Sequence, residues 1–506
     1  MDFRESSGRV LSQEDTSVEA GFSNFIYIDR NYDSNLVLRR IFSLARKLQF
    51  RSLLVEQIDG ADCKLLDEEN EQLAVRKSAF KGSIVHRLSF FKNAKGTHPN
   101  ADDFLGYVIY KRDFFSDVAS PTVHIFESVT RPFRQKAQNN FIEPLRKYRV
   151  NTCIGAFEVE GVLYAQQNAL TFVCAHVALR TVLASVLPAG DVSYRVLNDL
   201  VGVDHKTRQL GGLGPVDFEK IFSHFGLHFQ KSIHEPSQNL ILPTDYQRDL
   251  YGLIESGVPA ILGFELGSPQ TAGAVPQRHA IPVIGHTFNE DTWLPQADQA
   301  YFGGRLAYYP SENWLSTFVI HDDNFGPYLC LPRHFLKKDN FRLLYGIKKQ
   351  HTEFSAVQAE AFAFDCFLAI AKHMSAGGEW FVRFSSFAIR NWLVLRTMLV
   401  EKAQYLGHLR LLRDWEGNPL QQSAISEIET LLPDSFWMIE ASAPELFASS
   451  RRKFGEILLN KDKPLSSGFE LIIAARLPGL MALAESGKLR VEKISLVGHS
   501  SLFTYS

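Results

Sequence analysis

Residues 166–180, Q-Q-N-A-L-T-F-V-C-A-H-V-A-L-R, constrain this chain more than any other stretch. They read as a polar loop carrying Gln167 and Asn168 that runs into a helix with Cys174 in its first turn. Thr171 fits the N-cap, because its hydroxyl can accept from a free amide of that turn. Val177, Ala178, Val182, Leu183, Val186 and Leu187 then recur at helical spacing, and Pro188-Ala189-Gly190 ends the run. A thiol at a helix N-terminus feels the positive end of the helix dipole. That favours the thiolate, which is the nucleophilic form. Taken alone, the stretch also allows Cys174 to be a small buried hydrophobe, as free cysteines commonly are.

Length and composition narrow the classes. A chain of 506 residues has room for two to four domains with their own cores. With a net charge of −2 and a pI of about 6.8, bulk charge points to no nucleic-acid or acidic-lipid surface. The five cysteines, Cys63, Cys153, Cys174, Cys330 and Cys366, are odd in number and widely spaced. That pattern argues against a disulfide framework and a structural zinc site, and points to a reducing cytoplasm. The start of the chain is polar, without a signal-peptide core. No apolar run reaches about 18 residues, so no transmembrane helix is expected.

Read in order, the chain divides into three. Residues 1–150 form a mixed α/β region. Its strand candidates are N-F-I-Y-I-D (24–29), F-L-G-Y-V-I-Y (104–110) and T-V-H-I-F-E-S-V (122–129), and Leu36 to Leu48 has helical spacing. His86, His98 and His124 stand isolated there and read as surface or satisfied core residues. Residues 155–345 hold the Cys174 helix, further helices at 216–225 and 249–257, a buried strand at 258–265, and a strand opening on His279. A last strand, L-S-T-F-V-I-H-D-D, ends on acids before Gly326-Pro327. From about 350 the pattern shifts to a long helix (353–372) and strands at 436–442, 455–460 and 470–476. Residues 350–506 therefore read as a C-terminal α+β domain.

A cysteine hydrolase needs a thiolate, an imidazole to shuttle its proton, a group to orient the imidazole, and an oxyanion donor. Cys174, His279, Asp322 or Asp323, and Gln167 supply those four types in that region. Here the chain resembles the papain-like cysteine peptidases, and within them the bacterial peptidases that trim leader peptides from bacteriocin precursors. The resemblance rests on Q-N-A-L-T-F-V-C, H-A-I-P-V-I-G and F-V-I-H-D-D-N-F-G and covers roughly 160–345. It implies an α+β papain-like domain there, with Cys174 as nucleophile, His279 as proton shuttle, Asp322 as orienting acid and Gln167 as oxyanion donor. It implies no metal or cofactor and a protein or peptide substrate. The family's Gln usually lies six residues before the Cys. That position here is Asn168, which stays open as an alternative donor. The family's acid is usually followed by Pro, whereas here Asp323 follows Asp322 and stays open as an alternative. Side chains alternate on a strand, so only one of the two acids is expected to face His279.

Several further features read as structural. His176 lies two positions from Cys174, which does not share a helix face with it. His279 and His286 are oddly spaced and expected on opposite strand faces. His279, His321 and the two Asp lack a recognised metal-ligand spacing. K-I-S-L-V-G-H-S-S-L (493–502) resembles a serine-hydrolase elbow but has Leu502 where the motif needs Gly. The expected function is a cytoplasmic bacterial-type cysteine peptidase whose flanking domains select a restricted protein substrate. The alternatives are an acyl-transfer enzyme, such as a deamidase or transglutaminase, and a non-catalytic binding module.

Overall fold

The computed structural model describes residues 8–12, 31–32, 35–58, 63–92, 100–132, 139–168, 174–204, 212–233, 246–266, 277–288, 300–301, 307–335, 341–374, 378–414, 418–450, 452–485, 488–493 and 497–498. The expected strand at 24–29, Thr171 and most of 493–502 lie outside them. The described residues form an α+β protein built on three large, mainly antiparallel sheets.

The first sheet runs β1 (Gly8–Ser12), β2 (Ser52–Ile58), β3 (Phe80–Phe91), β4 (Phe104–Phe115) and β5 (Thr122–Thr130), each paired antiparallel to the next. Helix α1 (Leu36–Lys47) starts where the Asn35 side chain accepts from the Leu38 amide. It buries Val37, Leu38, Ile41 and Phe42 against Leu53, Phe90, Val108 and Ile125. Leu66 of α2 (Lys64–Arg76) joins a second core with Leu54, Phe91, Phe104 and Ile109.

The second sheet holds the residues singled out above. It begins with β6 (Asn139–Ile142), followed by a separate hairpin of β7 (Arg146–Thr152) and β8 (Gly155–Gly161). Helices α3 (Cys174–Val186), α4 (Tyr194–Val201) and α5 (Pro215–His224) follow, then β9 (His228–Ile233), α6 (Tyr246–Glu255), β10 (Ala260–Leu266) and β11 (Gln277–Phe288). After β12 (Ala300–Tyr301) and β13 (Ala307–Pro310) come β14 (Leu315–Asp322), β15 (Gly326–Pro332) and β16 (Phe341–Lys348). The strand order is β15-β14-β11-β10-β16-β9, with β6 paired to β11. Pleat alternation on β10 divides its contacts. Ile261 packs with Leu179, Val182 and Leu183 of α3, whereas Ala260, Leu262 and Phe264 pack with Leu250 and Ile254 of α6.

The third sheet is formed by β12, β13, β17 (Val394–Glu401), β19 (Ser435–Ser442), β20 (Gly455–Leu459), β21 (Ile472–Leu477), β22 (Leu480–Glu485) and β23 (Lys488–Lys493). The missing number belongs to β18 (Arg413–Asp414), which pairs with β24 (Val497–Gly498). Helices α7 (Ala356–Ala371) and α8 (Glu379–Ile389) cover one face; α9 (Lys402–Leu411) and α10 (Gln422–Leu431) cover the other.

Two strands cross the boundaries read from the sequence. β6, from the first region, pairs with β11 from Gly285 to Phe288. β13, from the middle region, pairs in parallel with β17. Buried charge joins the regions as well: Glu255 of α6 accepts from Arg396 of β17 at 2.6 Å and contacts His286 of β11 at 2.8 Å.

Candidate active site

Cys174 is the first residue of α3, so its sulfur sits at the positive end of that helix. The thiol is free and half-buried. It lies close enough to the His279 imidazole to raise its proton affinity. His279 enters on β11, directly across from Phe264 of β10, whose ring packs edge-on against the imidazole at 5.6 Å.

Both acids reach the same ring nitrogen. Asp322 Oδ2 is hydrogen-bonded to His279 Nε2 at 3.3 Å, and Asp323 Oδ1 approaches it as an ion-pair partner at 3.4 Å. This corrects the expectation that only one could face the imidazole. Alternation holds only along a strand. β14 ends at Asp322, with a register irregularity before it, and Asp323 already belongs to the turn that follows. The acids both use Nε2.

The two carboxylates sit in different environments. Burial pushes Asp322 up, but its bond to His279 and the amides of Asn324 and Phe325, which donate to Oδ1 at 2.8 and 3.1 Å, bring it below the ordinary aspartate value. Asp323 is pushed up to about 6, by burial first and against the pull of His279, with the Asp322 charge adding to the rise. Among the described residues its Oδ2 has no hydrogen-bond partner. Burial alone would lower His279. The Asp322 and Cys174 hydrogen bonds and the two negative charges outweigh it and raise the imidazole to about 10. An imidazole in that state is a cation at neutral pH, positioned to stabilise a thiolate and to donate a proton.

The two candidate oxyanion donors are separated by the fold. Gln167 Nε2 donates to Asn324 Oδ1 at 2.6 Å, on the rim of the acid turn. Asn168 points the other way, is buried, and donates from Nδ2 to Glu69 Oε1 of α2 at 2.8 Å. Asn324 is a site neighbour that the sequence reading did not single out. The D-D-N-F-G run, with its side chain-to-backbone turn bonds, is the local signal that could have found it.

The remaining histidines have other roles. His176 Nε2 contacts Asn198 Oδ1 at 2.8 Å. His321 is buried, contacts the Leu163 carbonyl at 3.2 Å through Nδ1, and is lowered to about 3 by burial. One ligand atom each from His279, Asp322 and Asp323 lies within 4.8 Å of the others, so those three could hold a cation. His279 would have to be neutral and give up both acid contacts, against the direction in which its surroundings drive it. His321 is not in that group.

No family model matches this chain, and no curated protein sequence matches it. Among the described residues no helix is long and apolar enough to cross a membrane.

Proposed function

We propose that this protein is a papain-like cysteine hydrolase, and specifically a peptidase acting on a restricted protein or peptide substrate. One observation carries the reading: the His279 imidazole is shared between a thiol at a helix start and a carboxylate at a strand end.

The chemistry follows from those positions. The Cys174 thiolate attacks the substrate carbonyl carbon, and the carbonyl π electrons move onto oxygen. The Cys174 amide and the Gln167 side chain, turned from Asn324, donate to that oxyanion. His279 gives its proton to the leaving amine, the C–N bond breaks, and a thioester remains. Water then attacks the thioester while neutral His279 takes a proton from it. The C–S bond breaks, the acid product leaves, and the thiolate–imidazolium pair is restored. Asp322 holds the imidazolium throughout, with Asp323 as a second negative group against the same nitrogen. All five cysteines are free thiols, which fits work in a reducing cytoplasm.

The test is mass spectrometry after treatment with a peptidyl epoxide that targets thiol peptidases. The expected result is a single adduct on the Cys174 peptide, lost in His279→Ala. An adduct confined to Cys330 or Cys366 removes the assignment. Release of ammonia from glutamine side chains, with no peptide bond cut, replaces the peptidase by the acyl-transfer alternative.

A further inference from the structure

We propose that Glu69 of the N-terminal sheet domain is a positioning residue of this active site, acting through Asn168 to hold Gln167 in place. The inference rests on the peptidase reading above.

The segment 164–168 runs between the N-terminal domain and the catalytic elements. Tyr164 pairs with Ser128 of β5, and its side chain joins the first domain's core. The Gln166 amide donates to the Ile125 carbonyl at 2.9 Å, and Gln166 Oε1 accepts from the Ile125 amide at 2.9 Å and from Asn35 at 3.3 Å. Asn168 reaches Glu69. Between them, Ala165 packs on Val177 of the nucleophile helix and Gln167 reaches Asn324. Gln166 and Asn168 hold the N-terminal domain, and Ala165 and Gln167 face the catalytic elements; Tyr164 reaches both, since its hydroxyl also donates to the Asp322 carbonyl at 3.2 Å.

Glu69 belongs to a buried cluster. Its Oε2 pairs with Lys111 at 2.7 Å, its Oε1 lies 3.3 Å from His124 Nε2, and Lys111 also meets Asp113 at 3.0 Å. The attraction of Lys111 and His124 overcomes the opposing effect of burial and holds the Glu69 carboxyl far below its ordinary value, so it is a fixed anion. A fixed, dry anion is a rigid acceptor for one Asn168 N–H. Gln167 is the residue before Asn168 and is half-buried at the site. The rigidity of the cluster therefore sets where the Gln167 amide sits.

The experiment separates two reactions of Cys174. Iodoacetamide alkylation needs only a reactive thiolate. Acylation by p-nitrophenyl acetate, with Cys174→Ala as the baseline, builds an oxyanion and needs the donor. In Asn168→Ala of the full chain we expect acylation to fall about 10- to 100-fold, a part of the loss a missing donor causes, and alkylation to stay within about twofold. Gln167→Ala should show the same split, and the double variant should be no slower than Gln167→Ala alone, since both changes remove one function. Glu69→Ala should reproduce Asn168→Ala; if it does not fold, Asn168→Ala alone decides. The proposal is overturned if Asn168→Ala slows both reactions equally, or leaves acylation intact while Gln167→Ala lowers it. A wild-type protein whose Cys174 accepts neither reagent overturns the peptidase reading itself, and this proposal with it.

Discussion

Replacing Asp323 by Asn should stabilise the protein, increasingly as pH rises from about 4 to 6. The side chain is 4% exposed, and its acid is moved from 3.8 to about 6. Burial is the largest cause, and Asp322 adds a like charge. Well below pH 3.8 folded and unfolded chains both hold the proton. As pH rises from 3.8 to 6 the unfolded chain releases it first. The folded state then binds more protons, so stability falls with pH across this window. The accumulated loss is about 3 kcal/mol above pH 6. Asn resembles the protonated acid in shape and carries no charge. Its advantage over wild type should therefore grow by about 2.4 kcal/mol between pH 4 and pH 7.5, with rather more than half appearing above pH 5. Urea unfolding of both proteins at a series of pH values, followed by tryptophan fluorescence, reads this directly. A difference that stays constant with pH refutes the argument. A variant that loses stability more at pH 7.5 than at pH 5 would mean that the Asp323 charge is worth more to His279 than its burial costs.

Asp322→Asn should bring the His279 titration down from about 10 toward its ordinary 6.5, followed through the imidazole Cε1 proton; an unchanged titration would assign the shift to Asp323 and Cys174. The same variant should slow peptide hydrolysis by roughly 10²- to 10⁴-fold, the range spanned by loss of an imidazole-orienting acid. Glu255→Ala leaves the buried Arg396 against the Glu440 carboxylate at 3.3 Å and should cost about 3–5 kcal/mol in calorimetric or urea unfolding; a loss below about 1 kcal/mol would show that water replaces the carboxylate. The isolated fragment 155–345 should not fold, because it loses β6 from the edge of β11 and the Glu127 carboxylate that meets Arg180 of α3 at 2.8 Å. A soluble fragment with a cooperative melt would refute this.

Local chemistry left the clearest marks in the sequence. The helix beginning at Cys174 is legible from its apolar spacing and its Pro-Ala-Gly stop, and the strand bearing His279 from its β-branched run. The turn at the acids is legible from Gly326, whose φ of 115° suits glycine and where an added Cβ would come within 2.9 Å of Arg40 Cγ. The rule that separates adjacent side chains on a strand failed at Asp322 and Asp323 because the strand stops between them. What decides between Gln167 and Asn168 as the residue facing the site is Glu69, far back in the chain, with no local signature. The same holds for β6 and β13. A strand carries its own pattern but not the identity of its partner, so boundaries drawn from composition cannot show which sheet will receive it.

The parallel pairing of β13 with β17 also has a meaning in time. A ribosome delivers Ala307–Pro310 well before Val394–Glu401, so β13 waits as an open edge while the chain lengthens. Glu255, bonded to His286 on the strand that carries His279, waits for Arg396 over the same interval. Vectorial synthesis thus makes the thiol and the imidazole early and braces the imidazole's strand late. A nascent chain released before Arg396 carries Cys174 and His279 on a sheet whose buried Glu255 lacks its guanidinium.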